Sequence, residues 1–105
     1  MPYDVRIDLT NEAPWANSWC GYRATVTNSG YEATGRFELM HQLVGPSGEV
    51  SRGGLGVVEN LDPGHYHTTD EFNVMPVESG QHTLTVSVWQ DGNEQASFSH
   101  TFTVQ

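Results

Sequence analysis

The chain has 105 residues and a formal net charge of −9 with His neutral, from 13 Asp and Glu against 4 Lys and Arg. That length holds one hydrophobic core and excludes a substrate domain joined to a cofactor domain. The acidity argues against nucleic acid, whose phosphates it repels, and the four basic residues (Arg6, Arg23, Arg36 and Arg52) form no cluster. Cys20 is the one cysteine, so no intrachain disulfide forms and burial alone must hold the chain together. No stretch approaches the ~18 apolar residues of a membrane helix, so membrane insertion is not expected. The first residues, Met1-Pro2-Tyr3-Asp4-Val5, lack the basic start and apolar run of a signal peptide.

Hydrophobicity along the chain alternates with period 2 and is broken by turn residues about every ten positions. The first strand is expected over 3–10, with Tyr3, Val5, Ile7 and Leu9 on one face. An irregular stretch, 11–18, holds Pro14 and Trp15. The second strand, 19–27, turns Tyr22, Ala24 and Val26 one way, and Asn28-Ser29-Gly30 ends it. The third, 35–44, aligns Phe37, Leu39, His41 and Leu43 before the Gly45-Pro46-Ser47-Gly48 turn. A weaker fourth strand, 49–59, is loosened by Gly53, Gly54 and Gly56. After the Leu61-Asp62-Pro63-Gly64 turn comes a fifth strand, 65–74. The sixth, 81–90, directs Leu84, Val86 and Val88 inward and Trp89 outward among Ser and Thr. The last, 95–104, directs Phe98, His100, Phe102 and Val104 inward.

Seven strands in this length predict one all-β domain over 1–105, a seven-stranded immunoglobulin-like (fibronectin-like) antiparallel β-sandwich. Opposed residues of a hairpin share a face, so the last two strands are expected to pair Val88 with Phe98, Val86 with His100 and Leu84 with Phe102. That register needs an odd-length loop centred on Asn93.

Three short motifs resemble those of bacterial adhesion-related (CARDB) domains. Val26-Thr27-Asn28-Ser29-Gly30 looks like their V-x-N-x-G step, and Leu61-Asp62-Pro63-Gly64 like their L-x-P-G turn. Gly80-Gln81-His82-Thr83-Leu84-Thr85-Val86 is similar to their G-x-y-t-L-x-V strand, with Asp91 following. The family commonly follows that Asp with a run of Glu and paired Asn; here Asn93-Glu94 stand alone before Gln95. The resemblance spans about residues 20–91 and implies an adhesion, spacing or binding role at a bacterial surface or in a secreted protein.

The residues that carry chemistry are few. No nucleophile elbow, phosphate loop, dinucleotide fingerprint or C-x-x-C is present, so an enzyme is not expected. Cys20 reads as a small hydrophobe at a strand start. His65 and His67, two apart on a strand, share a face and form a candidate metal pair, with a third ligand from Glu71 or a neighbouring strand. Asp91, Asn93 and Glu94 offer alternating oxygens at a loop, the candidate site for a calcium ion; no other cofactor is expected. His41 and His100 fall on apolar faces and read as hydrogen-bonded interior imidazoles. Trp89, large and outward on a polar face, is the leading candidate for ligand contact, with Trp15 second.

The favoured reading is a non-catalytic binding or spacer module of a bacterial surface or secreted protein. It is expected to be a monomer that presents loops and one sheet face to a protein or glycan. The first alternative is a stand-alone protein-binding protein of peptidase-inhibitor type, using loops 11–18, 52–56 and 91–94. The second is a carbohydrate-binding module centred on Trp89.

Overall fold

The computed structural model describes residues 2–105, and among them the secondary structure is strands and turns, with no helix. The strands are β1 (Tyr3–Leu9), β2 (Cys20–Asn28), β3 (Phe37–Val44), β4 (Val50–Val58), β5 (Tyr66–Thr68), β6 (Phe72–Val74), β7 (Gly80–Gln90) and β8 (Asn93–Val104). They form two antiparallel sheets. In the first, β2 lies between β1 and the pair β5 and β6; the second runs β4-β3-β7-β8. The period-2 alternation explains this arrangement. In β1 the odd positions Tyr3, Val5 and Ile7 are buried while Asp4, Arg6 and Asp8 face solvent. The inward faces meet in one core built on Tyr22 and Val26 of the first sheet and Phe37, Leu39, Leu84 and Val86 of the second.

The all-β sandwich is as expected, but it has eight strands rather than seven. The expected fifth strand, 65–74, splits into β5 and β6 at Thr69. This residue is 3% exposed; its N–H donates to the Ala24 carbonyl at 2.9 Å, and its Oγ1 accepts the Ala24 N–H at 3.1 Å. The side chain thus stands in for a main-chain carbonyl. Asp70 and Glu71 bow out into solvent, and pairing resumes where Phe72 meets Tyr22.

The register of the last hairpin also differs from expectation. Gln90 opposes Asn93, so the turn is the two residues Asp91-Gly92, not an odd loop centred on Asn93. Both have positive φ, 53° and 78°, the requirement of the mirror-image turn that matches strand twist. A bulge at Gln95 adds one residue, so Val88 opposes Ala96, Val86 opposes Phe98 and Leu84 opposes His100. A two-residue slip preserves which face each side chain takes. Being on the edge strand, however, Phe98 remains 38% exposed and His100 half-buried; only Phe102 and Val104 of that face reach the core.

The glycines of β4 have a local cause. Leu55 is the extra residue of a bulge between Gly54 and Gly56, and its side chain stays buried. Gly53 lies opposite His41, where a Cβ would come within 2.8 Å of the imidazole Nε2. His41 therefore lies over bare backbone, half-buried, with its Nδ1 hydrogen-bonded to the Tyr22 hydroxyl across the two sheets.

Burial pushes the His41 pKa below its ordinary value. The folded chain then binds this proton less readily than the unfolded chain, whose imidazole titrates near ~6.5. The stabilisation is complete above that pH. It is lost as the pH falls toward the folded pKa, with a slope approaching about 1.4 kcal/mol per pH unit for the one proton. Urea midpoints measured at pH 7, 6 and 5 are expected to fall more steeply for the native chain than for His41→Gln. Parallel profiles would remove His41 as the cause.

Candidate functional site

The outward face of the β4-β3-β7-β8 sheet carries the site. Ladder pairing sets Glu38 beside Trp89 and Trp89 beside Glu94. The next row sets Met40 beside Ser87 and Ser97, and the next Gln42 beside Thr85 and Ser99. One large side chain, Trp89, thus rises from rows of hydroxyls. Thr85 and Ser99 are hydrogen-bonded to each other at 2.8 Å, and Thr83 and Thr101 approach at 3.5 Å.

Trp89 is half-buried and held in place. Its indole N–H donates to Ser87 Oγ at 2.8 Å, so the ring's one polar atom is satisfied within the protein. On one side of the ring lies a cavity of about 510 Å³, walled by Arg36, Glu38, Met40, Asp91 and Gly92. On the other lies a hollow of about 190 Å³, walled by Met40, Gln42, Arg52, Thr85 and Glu94. Met40 and Trp89 belong to both.

The wall of the larger cavity is braced from below. Gln90 Nε2 donates to the carbonyls of Thr34 (2.7 Å) and Arg36 (3.2 Å), and its Oε1 accepts the Tyr3 hydroxyl at 3.4 Å. In the smaller hollow Arg52 Nε donates to Gln42 Oε1 at 2.8 Å. Among the described residues the ion pair of Arg36 is a long, exposed contact with Glu59, 4.0 Å, an arrangement that adds little stability and leaves the guanidinium able to meet a ligand.

Trp15 does not join this site. It is 66% exposed in the loop after β1, whose Ala16 N–H donates to the Gln105 carbonyl beyond the far end of β8. β8 has 12 residues, so it separates the two tryptophans by roughly 40 Å at 3.3 Å per residue. His67 is exposed on β5 of the first sheet, and His65 is exposed just before that strand rather than in it, while Asp91, Asn93 and Glu94 lie at the β7–β8 turn of the second. Asn93 Nδ2 donates to the Asp91 carbonyl at 3.3 Å. Among the described residues no three His, Cys, Asp or Glu side chains gather as a metal-holding group. Cys20 is 1% exposed, and burial, reinforced by Glu12, pushes its thiol pKa up, which disfavours the nucleophilic thiolate. His100 leaves the interior and bonds Glu12 Oε1 at 2.7 Å.

Arg36, Glu38 and Met40 were not singled out from the sequence. Their signal is positional: Arg36 directly precedes β3, the strand that the fold sets beside Trp89, and Glu38 and Met40 are outward residues at its start. Sequence spacing alone does not say which strand that is.

No protein-family model matches the chain, and no sequence match to it is found among the curated proteins. Solved structures do match. A CARDB domain from Pyrococcus furiosus, solved in complex with di-metal ions, superposes with a TM-score of 0.72 at 14% identity, over 98% of this chain and 87% of that one. The fold is CARDB-like. An alkylpurine DNA glycosylase from Pseudomonas fluorescens, bound to DNA containing an abasic site analog, contains the same fold (TM-score 0.71, 12% identity); the match covers 99% of this chain but 30% of the glycosylase. A sporulation control protein from Bacillus subtilis matches over 100% of this chain and 50% of its own length, with a TM-score of 0.64 at 14% identity. The CARDB-like sandwich thus occurs both as a module of larger proteins and as a separately solved domain.

Proposed function

We propose that this CARDB-like chain is a non-catalytic binding module of a bacterial surface or secreted protein, and that its contact face is the outer face of the β4-β3-β7-β8 sheet. The cleft beside Trp89 carries the reading. It is the larger of the two hollows flanking the ring, and its charged side chains, Arg36, Glu38 and Asp91, are all exposed to solvent. Recognition works with charges presented to water, whereas transition-state stabilisation draws on a dry, enclosed site. The charge of −9 keeps such a surface soluble and opposes contact with DNA, unlike the setting of the glycosylase that shares the fold.

The Pyrococcus domain was solved with di-metal ions; here Asp91, Asn93 and Glu94 offer two carboxylates and one amide at the β7–β8 turn, and His65 and His67 lie at the other sheet. The reading proposed here rests on the Trp89 cleft and not on a metal.

An antibody raised against the domain, applied to medium, envelope and cytoplasm of the source cells, is expected to find it in the envelope or medium. A band confined to the cytoplasm would overturn the surface placement and leave the stand-alone, inhibitor-type alternative.

A further inference from the structure

We infer that the groove passing over Trp89 binds a neutral oligosaccharide chain; this rests on the binding-module reading and names its ligand class. Four observations lead there. The first is the state of the ring. Its N–H is already bonded to Ser87, so what Trp89 offers a ligand is an apolar π-face held in one orientation. A sugar ring presents the complementary shape, a C–H face bounded by a rim of hydroxyls.

The second is what surrounds the ring. Arg36, Glu38 and Asp91 on one side, and Arg52, Gln42 and Glu94 on the other, are flat or forked groups able to hold two neighbouring hydroxyls at once. The apolar side chains beside the ring are Met40, the buried Phe37 in the wall of the larger hollow, and Val57, exposed opposite Glu38; toward β8 the rows are Ser and Thr. A protein hot spot clusters several aromatic anchors inside a dry rim, and this face presents the single indole of Trp89.

The third is length. The larger hollow, at about 510 Å³, is within the ~300–1,000 Å³ typical of small-ligand sites, and the smaller adjoins it, sharing Met40 and Trp89 as lining. A ligand that fills both crosses the ring, which suits a chain rather than a single sugar. The fourth is charge. Three carboxylates against two guanidinium groups at the site, on a chain of −9, disfavour uronates and other acidic sugars.

The test is electrophoresis of the purified protein through gels containing, one at a time, soluble β-glucan, xylan, mannan and glycol chitin, with polygalacturonate as the acidic control. Retardation is expected in at least one of the first four and not in polygalacturonate. Trp89→Ala is expected to weaken that retention at least ten-fold, whereas Trp89→Phe, which keeps a ring, retains most of it. Asp91→Asn, whose side chain tolerates the positive φ of the turn, is expected to weaken it several-fold with an unchanged far-ultraviolet spectrum. Trp15→Ala, distant from the groove, should leave it unaltered.

Free passage of the native chain through all four neutral gels, or retention that survives Trp89→Ala, overturns the inference. If random-peptide display on the immobilised domain then yields binders that require Trp89, the ligand is a peptide: the saccharide inference falls and the binding-module reading stands. If neither glycan nor peptide binds through Trp89, both fall.

Discussion

Asn28→Ala is expected to cost about 3 kcal/mol of stability and to lower the thermal midpoint by roughly 12–24 °C. The side chain is 0% exposed, and both of its polar atoms are hydrogen-bonded. Its Nδ2 donates to the carbonyls of Glu32 (2.8 Å) and Leu61 (2.9 Å), and its Oδ1 accepts the Gly30 N–H at 2.9 Å. Its backbone is engaged as well: the N–H donates to the His65 carbonyl and the carbonyl accepts from Gly64, both at 2.9 Å. One residue thus ties the end of β2 to the loop at Leu61 and to the turn before β5. Alanine leaves the Glu32 carbonyl and the Gly30 N–H without this partner and the Leu61 carbonyl with the Thr34 N–H alone, and such groups cost about 1–3 kcal/mol each when buried. Asn28→Asp separates the roles. It keeps the acceptor for Gly30 but sets a carboxylate against two carbonyls, so it is expected to be at least as damaging. Thermal melts followed by circular dichroism decide the matter; a loss below about 5 °C for Asn28→Ala would show that water replaces these bonds at little cost.

The second large effect is expected at Tyr22. Its ring is fully buried, lies 6.4 Å from Phe72 by centroids, and its hydroxyl reaches His41 on the other sheet. Tyr22→Ala removes the ring and opens a cavity between the sheets, at an expected cost of about 4 kcal/mol. A domain of this size holds about 5–15 kcal/mol in total, so the variant sits near the edge of folding. Tyr22→Phe keeps the ring and removes only the bond to His41, for about 1 kcal/mol. Urea unfolding of the pair divides packing from hydrogen bonding. Equal losses in the two variants would mean that the hydroxyl, not the ring, holds the sheets together.

Much of this fold is legible in the chain. Strand faces follow directly from alternation: Tyr3, Val5 and Ile7 are buried as their spacing dictates, and so are Phe37, Leu39 and Leu84. Two of the motifs that resemble CARDB domains, Val26–Gly30 and Leu61–Gly64, prove to be structural fasteners. Asn28 donates to the Leu61 carbonyl and accepts the Gly64 N–H at one end of the sandwich, which is a role in folding rather than in binding. The irregular Gly content of β4 is visible in the sequence, but its reasons, the bulge at Leu55 and the close approach of His41 at Gly53, are not.

The all-β class, the faces of the strands and the outward aim of Trp89 follow from the order of residues alone, because each depends on the two-residue period of a strand and on local turn chemistry. The tertiary structure decided three things that period alone cannot. It set the register of the last hairpin, where a two-residue slip leaves every face unchanged. It split the fifth strand, where the Thr69 hydroxyl competes with the main chain for Ala24. And it built the cleft, by choosing β3 as the neighbour of β7 and so bringing Glu38 and Met40, some fifty residues distant in sequence, against Trp89. Pairing between distant strands is settled by how the whole core packs, and no local pattern encodes it.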